Sequence, residues 1–326
     1  MRIGITGASG HIGTVVTSML LGQKHAVRVL KYYSDVRNHN ADLEAITGDV
    51  LDSHSLLNFT SGCDVVIHAA AKISLNSATD PTVYPINFNG TKNVFEAALK
   101  SNVKKFIYIS SIHAYQQHAD RNELNEHAAY CTDSAVPYDR SKRDAQQYVL
   151  GNVNPNIEVT VVNPTSVVGP PDYRPSKAGQ AILDIYNGKV PALLNGGFDF
   201  CDVRDVSAAI VNAIERGRTG ENYLLSGKWY PIKAVADYVA LTKNKKNRLP
   251  VLPIWMGYAG LPFEKAVSKI TGKEPLFSRE SIDTIKNGNK NISSTKAAND
   301  LRYHCRPLEQ TIKDLINWFK QNGTIN

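Results

Sequence analysis

Apolar residues in the first half of the chain fall into short blocks, separated by turns or by stretches of helical spacing. Residues 2–6 form a β-like run. Ile12, Val15, Val16, Met19 and Leu20 then recur at the interval that lines one face of a helix. The alternation repeats: residues 26–30 and 64–68 read as strands, a helix starts near Asn87, and residues 104–109 make a further strand. Pro137 suits the first turn of a helix whose stripe continues through Ala145 and Val149, and residues 157–162 form one more apolar strand. Strands alternating with helices predict an α/β fold, a Rossmann-type doubly wound parallel sheet.

Beyond residue 170 the pattern loosens. A helix opening at residues 202–206 and running to about Glu215, then a strand at residues 223–225, are expected to rejoin the sheet. The expected division is a dinucleotide-binding domain over 1–168, rejoined by about 202–227, and a smaller mixed C-terminal substrate-binding lobe over 169–326. Residues 249–263 are notably apolar but carry three prolines and fall short of the roughly 20 residues a membrane span needs. They are expected in the core or in a substrate-pocket wall. Residues 307–319 read as an amphipathic helix with Leu308, Ile312, Leu315, Ile316 and Phe319 inward.

Chemistry enters at the ends of these strands. The first run ends in Gly7, Ser9, Gly10, His11, Ile12 and Gly13, a G-x-x-G-x-x-G turn that opens the first helix. Glycines allow a tight turn and close backbone approach, and a helix N-terminus offers free N–H groups to a pyrophosphate. A carboxylate is expected about 20 residues further on when the ribose 2′-hydroxyl of NAD is held. The chain has Lys31 there, with Tyr32 and Tyr33 after it and Arg37 beyond, which suits a 2′-phosphate and favours NADP over NAD. Ala69, Ala70 and Ala71 at a strand end leave room for adenine and its ribose. Tyr138 and Lys142 lie one helical turn apart on one face. An ammonium there is expected to favour the phenolate and bring a phenol with a pKa of about 10 nearer neutrality. Ser111, at the end of the strand over 104–109, can hold a substrate oxygen while that proton moves.

Composition changes this picture little. Four separated cysteines with no C-x-x-C pair argue against zinc and against a disulfide framework, and no metal site is expected. No charged-then-apolar leader precedes the first strand, so a cytoplasmic protein is expected. The net charge of +7 raises nucleic acid as a partner, but the one dense basic run (Lys243, Lys245, Lys246, Arg248) has no interleaved aromatics and reads as a solvated loop.

Taken together, Thr6-Gly7-x-x-Gly10-x-x-Gly13, Gly48-Asp49-Val50, His68-Ala69-Ala70-Ala71, Asn87-x-x-Gly90-Thr91, Ser110-Ser111, Tyr138-x-x-x-Lys142 and Asn163-Pro164 occur in the order that resembles the extended short-chain dehydrogenase/reductase superfamily, the NAD-dependent epimerase/dehydratase family. The likeness runs along nearly the full length and looks strongest to the dihydroflavonol reductase and 3β-hydroxysteroid dehydrogenase-like branch. The resemblance implies that Tyr138 exchanges a proton with the substrate oxygen. It implies that Lys142 lowers the tyrosine pKa and holds the nicotinamide ribose, that Ser111 binds the carbonyl, and that Asn87 supports a proton relay or the cofactor. Asp49 and Val50 would touch adenine, and Pro164 and Val167 would flank the carboxamide. Two departures matter. Dehydratases of this kind carry an acidic pair where this chain has Ile112 and His113, and epimerases carry an arginine near the place of Phe198. The expected activity is an NAD(P)-dependent carbonyl reductase or alcohol dehydrogenase acting on a small-molecule carbonyl or alcohol. The alternatives are a nucleotide-sugar epimerase with tightly retained NAD and a non-catalytic dinucleotide-binding regulator. Phe198, Phe200, Tyr173 and the 249–263 stretch suggest an apolar pocket, and a homodimer is a family-level expectation.

Overall fold

A computed structural model describes residues 1–32, 42–74, 77–117, 123–271 and 278–325. Its main sheet has seven strands: β1 (Arg2–Thr6), β2 (Ala26–Lys31), β3 (Leu43–Thr47), β4 (Val65–His68), β5 (Lys105–Ile109), β6 (Glu158–Pro164) and β10 (Glu221–Leu225). Their order is β10-β6-β5-β4-β1-β2-β3, and every neighbouring pair is parallel.

A parallel sheet must be covered on both faces, which is why its strands read as continuous apolar runs. Successive side chains sort to opposite sides. Val65, Ile67, Ile107 and Ile109 pack with α1 (His11–Gly22), α6 (Val203–Arg216) and α10 (Thr295–Leu301). Val66, Phe106 and Tyr108 pack with α2 (Ser53–Thr60), α3 (Gly90–Lys100) and α4 (Pro137–Gly151). The helix expected near Asn87 begins as a π-turn over Pro85–Asn89 and continues as α3.

The chain leaves the main sheet after Pro164 and enters a three-stranded sheet of β7 (Ser166–Val168), β9 (Gly197–Asp202) and β11 (Lys228–Pro231), ordered β11-β9-β7. A short parallel pair joins β8 (Leu193–Leu194) to β12 (Val251–Leu252). The remaining helices are α5 (Lys177–Tyr186), α7 (Ile232–Leu241), α8 (Ile254–Thr271), α9 (Arg279–Asn287) and α11 (Leu308–Gln321). The expected inward stripe of α11 is buried in full, packed with residues of α5, α7, β7 and β9. The late strand at 223–225 does rejoin the main sheet, as β10 beside β6. Cys63, Cys131 and Cys201 are buried free thiols and Cys305 a half-buried one. Among the described residues no helix is long and apolar enough to cross a membrane.

The expectation of a buried 249–263 segment is corrected. Residues 249–263 are not core: Val251, Trp255 and Met256 are exposed, because only one side of the first turns of α8 meets the protein. Tyr173 is also exposed and packs edge-on against Trp318, with ring centroids 5.0 Å apart. Phe200 belongs to the core of the smaller lobe, and the half-buried Phe198 packs against it, ring centroids 5.8 Å apart.

Candidate active site

Strand order reverses between β1 and β4, and ligands of open α/β sheets bind beyond the strand ends at such a reversal. Thr6 and His68 are register partners there and are joined by side chain, Thr6 Oγ1 to His68 Nδ1 at 2.7 Å. The Thr6 hydroxyl accepts from the Ala70 N–H (3.2 Å), so its own proton goes to His68 Nδ1. His68 Nε2–H then donates to Thr91 Oγ1 (3.0 Å), which donates to the Asn87 carbonyl (2.6 Å). This chain needs a neutral imidazole. Burial, helped by the nearby Lys142 charge, pushes His68 down to about 3.

The glycine turn sits above β1. Gly7 has φ +72°, and a Cβ on it would lie 2.6 Å from the Ala69 carbonyl carbon; one on Gly13 would lie 2.1 Å from the Gly7 oxygen. Only glycine fits either place. Helix α1 starts at His11 with no side-chain cap and no acid in its first turn, which leaves its N-terminal N–H groups available to an anion. Gly10 is exposed, and Ser9, His11 and Ile12 are half-buried around this turn. His11 Nε2–H donates to the Gly169 carbonyl at 2.7 Å, tying the glycine turn to the segment that follows β7. These residues fit the pyrophosphate of a dinucleotide. Ala69 and Ala70 are half-buried and Ala71 exposed beside it. Asp49 and Val50 follow β3; Val50 packs against Gly90, and the Asp49 carboxylate accepts from the Leu51 N–H at 2.9 Å. Lys31 closes β2, and its carbonyl accepts from the Gly48 N–H at 3.0 Å. Tyr33 and Arg37 lie outside the described residues.

Ser111, Tyr138 and Lys142 come together at the carboxyl end of β5. Ser111 is 7% exposed, and its Oγ accepts from the His113 N–H at 3.2 Å. Tyr138 and Lys142 are carried by α4, which Pro137 opens at its first turn. Lys142 is buried, donates to the Ile109 carbonyl at 3.0 Å and lies 5.2 Å from the centre of the Tyr108 ring. The expected lowering of the tyrosine pKa is reversed in the protein alone. Burial pushes the Tyr138 phenol up to about 12, with a hydrogen bond to Ser111 working against it, and burial drives Lys142 down to about 7. Desolvation outweighs attraction because the ammonium is directed at the Ile109 carbonyl.

His113 packs edge-on to Tyr138, centroids 5.7 Å apart, with Nδ1 3.0 Å from the Asp139 carboxylate. Burial lowers its pKa, but the Asp139 charge and hydrogen bond outweigh this, so the imidazole is raised.

Asn87 has its amide committed to positioning. Its Nδ2 donates to the Lys72 carbonyl and to Ser141 Oγ, each at 3.1 Å, and its Oδ1 accepts from the Lys72 N–H at 2.8 Å. Asn87 thus clamps the segment after Ala71 to α4. Pro164 is buried at the end of β6, and Val167 is half-buried in β7. Between them Thr165 donates to Asp199 Oδ1 (2.7 Å), which also accepts from the Gly227 N–H (2.8 Å). Burial raises Asp199 to about 6.

Behind Ser111 lies a buried network the sequence reading did not single out. Asn163 Nδ2 donates to the Ser111 carbonyl (3.0 Å) and to Gln146 Oε1 (2.6 Å), and Gln146 Nε2 donates to the Tyr115 hydroxyl (3.0 Å). Asn222 of β10 also donates to Tyr115. The sequence signal was polar residues inside otherwise buried elements, where each must find a partner.

A family model for the NAD dependent epimerase/dehydratase family matches residues 3–226. Sterol demethylase protein B of Methylococcus capsulatus is 29% identical, over 98% of this chain and 99% of its own length. A putative dihydroflavonol 4-reductase of Synechocystis sp. is 26% identical, over 98% and 95%. The crystal structure of gox2253 superposes with a TM-score of 0.84 at 30% identity, covering 100% of this chain and 99% of that one. The chain belongs to the NAD-dependent epimerase/dehydratase family of the extended short-chain dehydrogenase/reductase superfamily.

Proposed function

We propose that the chain is a carbonyl reductase or alcohol dehydrogenase of this family, with NADP as the preferred cofactor. The observation that carries this reading is the Ser111–Tyr138 pair at the end of β5 with Lys142 buried beside it, followed by Ile112 and His113 in place of an acidic pair. A bound dinucleotide supplies or accepts hydride at its nicotinamide ring. In the reductive direction Ser111 holds the substrate oxygen. Tyr138, neutral at physiological pH with its phenol at about 12, donates its proton as alkoxide character develops. Lys142 holds the ribose and, once charged, makes Tyr138 a stronger acid. The α1 N-terminus receives the pyrophosphate, and Lys31 at the end of β2 receives a 2′-phosphate. The similarity to a putative dihydroflavonol 4-reductase supports a carbonyl substrate.

The test is loss of NADPH absorbance with a panel of aliphatic and aromatic aldehydes and ketones. Tyr138→Phe is expected to lower kcat by about 10²-fold or more while NADPH still binds. Full activity in that variant would remove the mechanism. Tightly co-purifying NAD together with a melting shift caused by UDP-sugars would point to the epimerase alternative. That alternative is weakened by the half-buried Phe198, which packs against the lobe core near the place where epimerases carry an arginine.

A further inference from the structure

We infer that the loop between α7 and β12, together with the first turns of α8, docks on an anionic phospholipid surface. Among the described residues, ten large apolar side chains are exposed, and four of them fall between the last residue of α7 and the first turn of α8: Leu241 (56%), Val251 (40%), Trp255 (66%) and Met256 (39%). These four fall within residues 241–256, whereas the other six are spread over residues 1–173, as single exposed apolar residues on soluble surfaces are.

Helix α8 meets the protein with its other side. A Cβ on Gly257 would lie 3.0 Å from Leu194 and 3.3 Å from Ile282, and the Tyr258 hydroxyl donates to Asp283. Trp255, Met256, Ala259 and Pro262 are all exposed, and their spacing places them on one face. The anchored side of these first turns therefore carries a polar contact, while the exposed residues over 255–262 are apolar.

Charge selects the partner. No acid occurs from residue 241 to residue 263, and Lys245, Lys246 and Arg248 are exposed just before the apolar stripe. Lys243 is held at Tyr186, 3.7 Å from its ring centre. The loop has a defined course, because Asn247 donates to Asp237 at 2.9 Å and accepts from the Leu249 N–H at 2.9 Å. Asp237 is answered by Lys233 at 2.7 Å, so it does not neutralise the basic rim. A second copy of the chain would bring the same cations together about a two-fold axis, where they repel. A bilayer with anionic headgroups offers the opposite charge, an apolar layer for the stripe and an interface suited to Trp255. The contact is peripheral, and it does not depend on the reaction proposed above.

The test is co-sedimentation of the full chain with vesicles of phosphatidylcholine, with and without phosphatidylserine. The chain is expected to pellet with the phosphatidylserine vesicles, to be released by salt, and to remain in solution with the neutral ones. Lys245→Ala/Lys246→Ala should weaken binding roughly fivefold for each charge removed. Trp255→Ser/Met256→Ser should weaken it on the order of tenfold or more. Both pairs are surface changes, and unchanged melting temperatures confirm that the fold persists. Brominated lipids should quench fluorescence in the wild type more than in Trp255→Phe, which retains Trp229 and Trp318. Equal binding by wild type and both variants, or no binding to either vesicle, overturns the inference. So does self-association in solution that the Trp255→Ser/Met256→Ser pair abolishes, since a second copy would then cover the patch.

Discussion

Replacing Lys142 with methionine keeps the length of the side chain and removes its titration. In the fold the ammonium pKa falls to about 7 because it is buried, whereas an unfolded lysine titrates at about 10.4. Between those values the unfolded chain binds more protons than the native one, so stability rises with pH across that window. Below it the native state carries the full burden of a buried charge, about 4–5 kcal/mol at 1.36 kcal/mol per pKa unit. At about pH 9 most of this is relieved. From about pH 6 to about pH 9 Lys142 alone should therefore add ~2–3 kcal/mol to wild-type stability. Lys142→Met should lack this increment. Constant effects, including the loss of a donor to the Ile109 carbonyl, cancel when each protein is compared with itself at two pH values. Groups whose titration Lys142 does not influence, such as His113 with its raised pKa, contribute alike to both proteins. Urea unfolding followed by circular dichroism at both pH values gives the double difference. Profiles that run parallel to within about 0.5 kcal/mol would refute the claim that burial governs Lys142.

Two further changes test the cofactor site. Gly13→Ala places a methyl group 2.1 Å from the Gly7 oxygen. It should lower stability by about 1–3 kcal/mol and weaken NADPH binding more than the stability loss alone explains, read by protein fluorescence titration and thermal melting. Lys31→Asp should invert the ratio of NADPH to NADH catalytic efficiency by restoring a 2′-hydroxyl acceptor at the end of β2. An unchanged ratio would mean that Lys31 does not face the ribose.

Parts of the molecule that local chemistry dictates could be read directly from the sequence. The β1–glycine–α1 unit, the Ser111 strand end and the α4 pair each sit inside one short segment whose spacing carries the message. Edge strand β3 could not be read this way: Leu43–Thr47 has no buried residue and so no apolar run. The network from Ser111 through Asn163, Gln146 and Tyr115 to Asn222 joins residues up to 111 positions apart, visible only once β5, β6, α4 and β10 are packed. The shift of Tyr138 runs against the expectation for a related reason. Spacing places Lys142 near Tyr138, but burial and the direction of its ammonium decide its pKa. The stretch over 249–263 shows that apolar composition alone does not tell an inner wall from an outer face.

Strand β10 also sets the smallest length of chain that can close the sheet. It is the parallel neighbour of β6, six of whose seven residues are buried. During synthesis the sheet therefore has an unprotected apolar edge until residue 225 has emerged from the ribosome. A fragment cut after residue 168 keeps the glycine turn, Ser111, Tyr138 and Lys142, yet bares that edge permanently. Such an edge pairs readily with its own kind, so the fragment should precipitate rather than bind nucleotide.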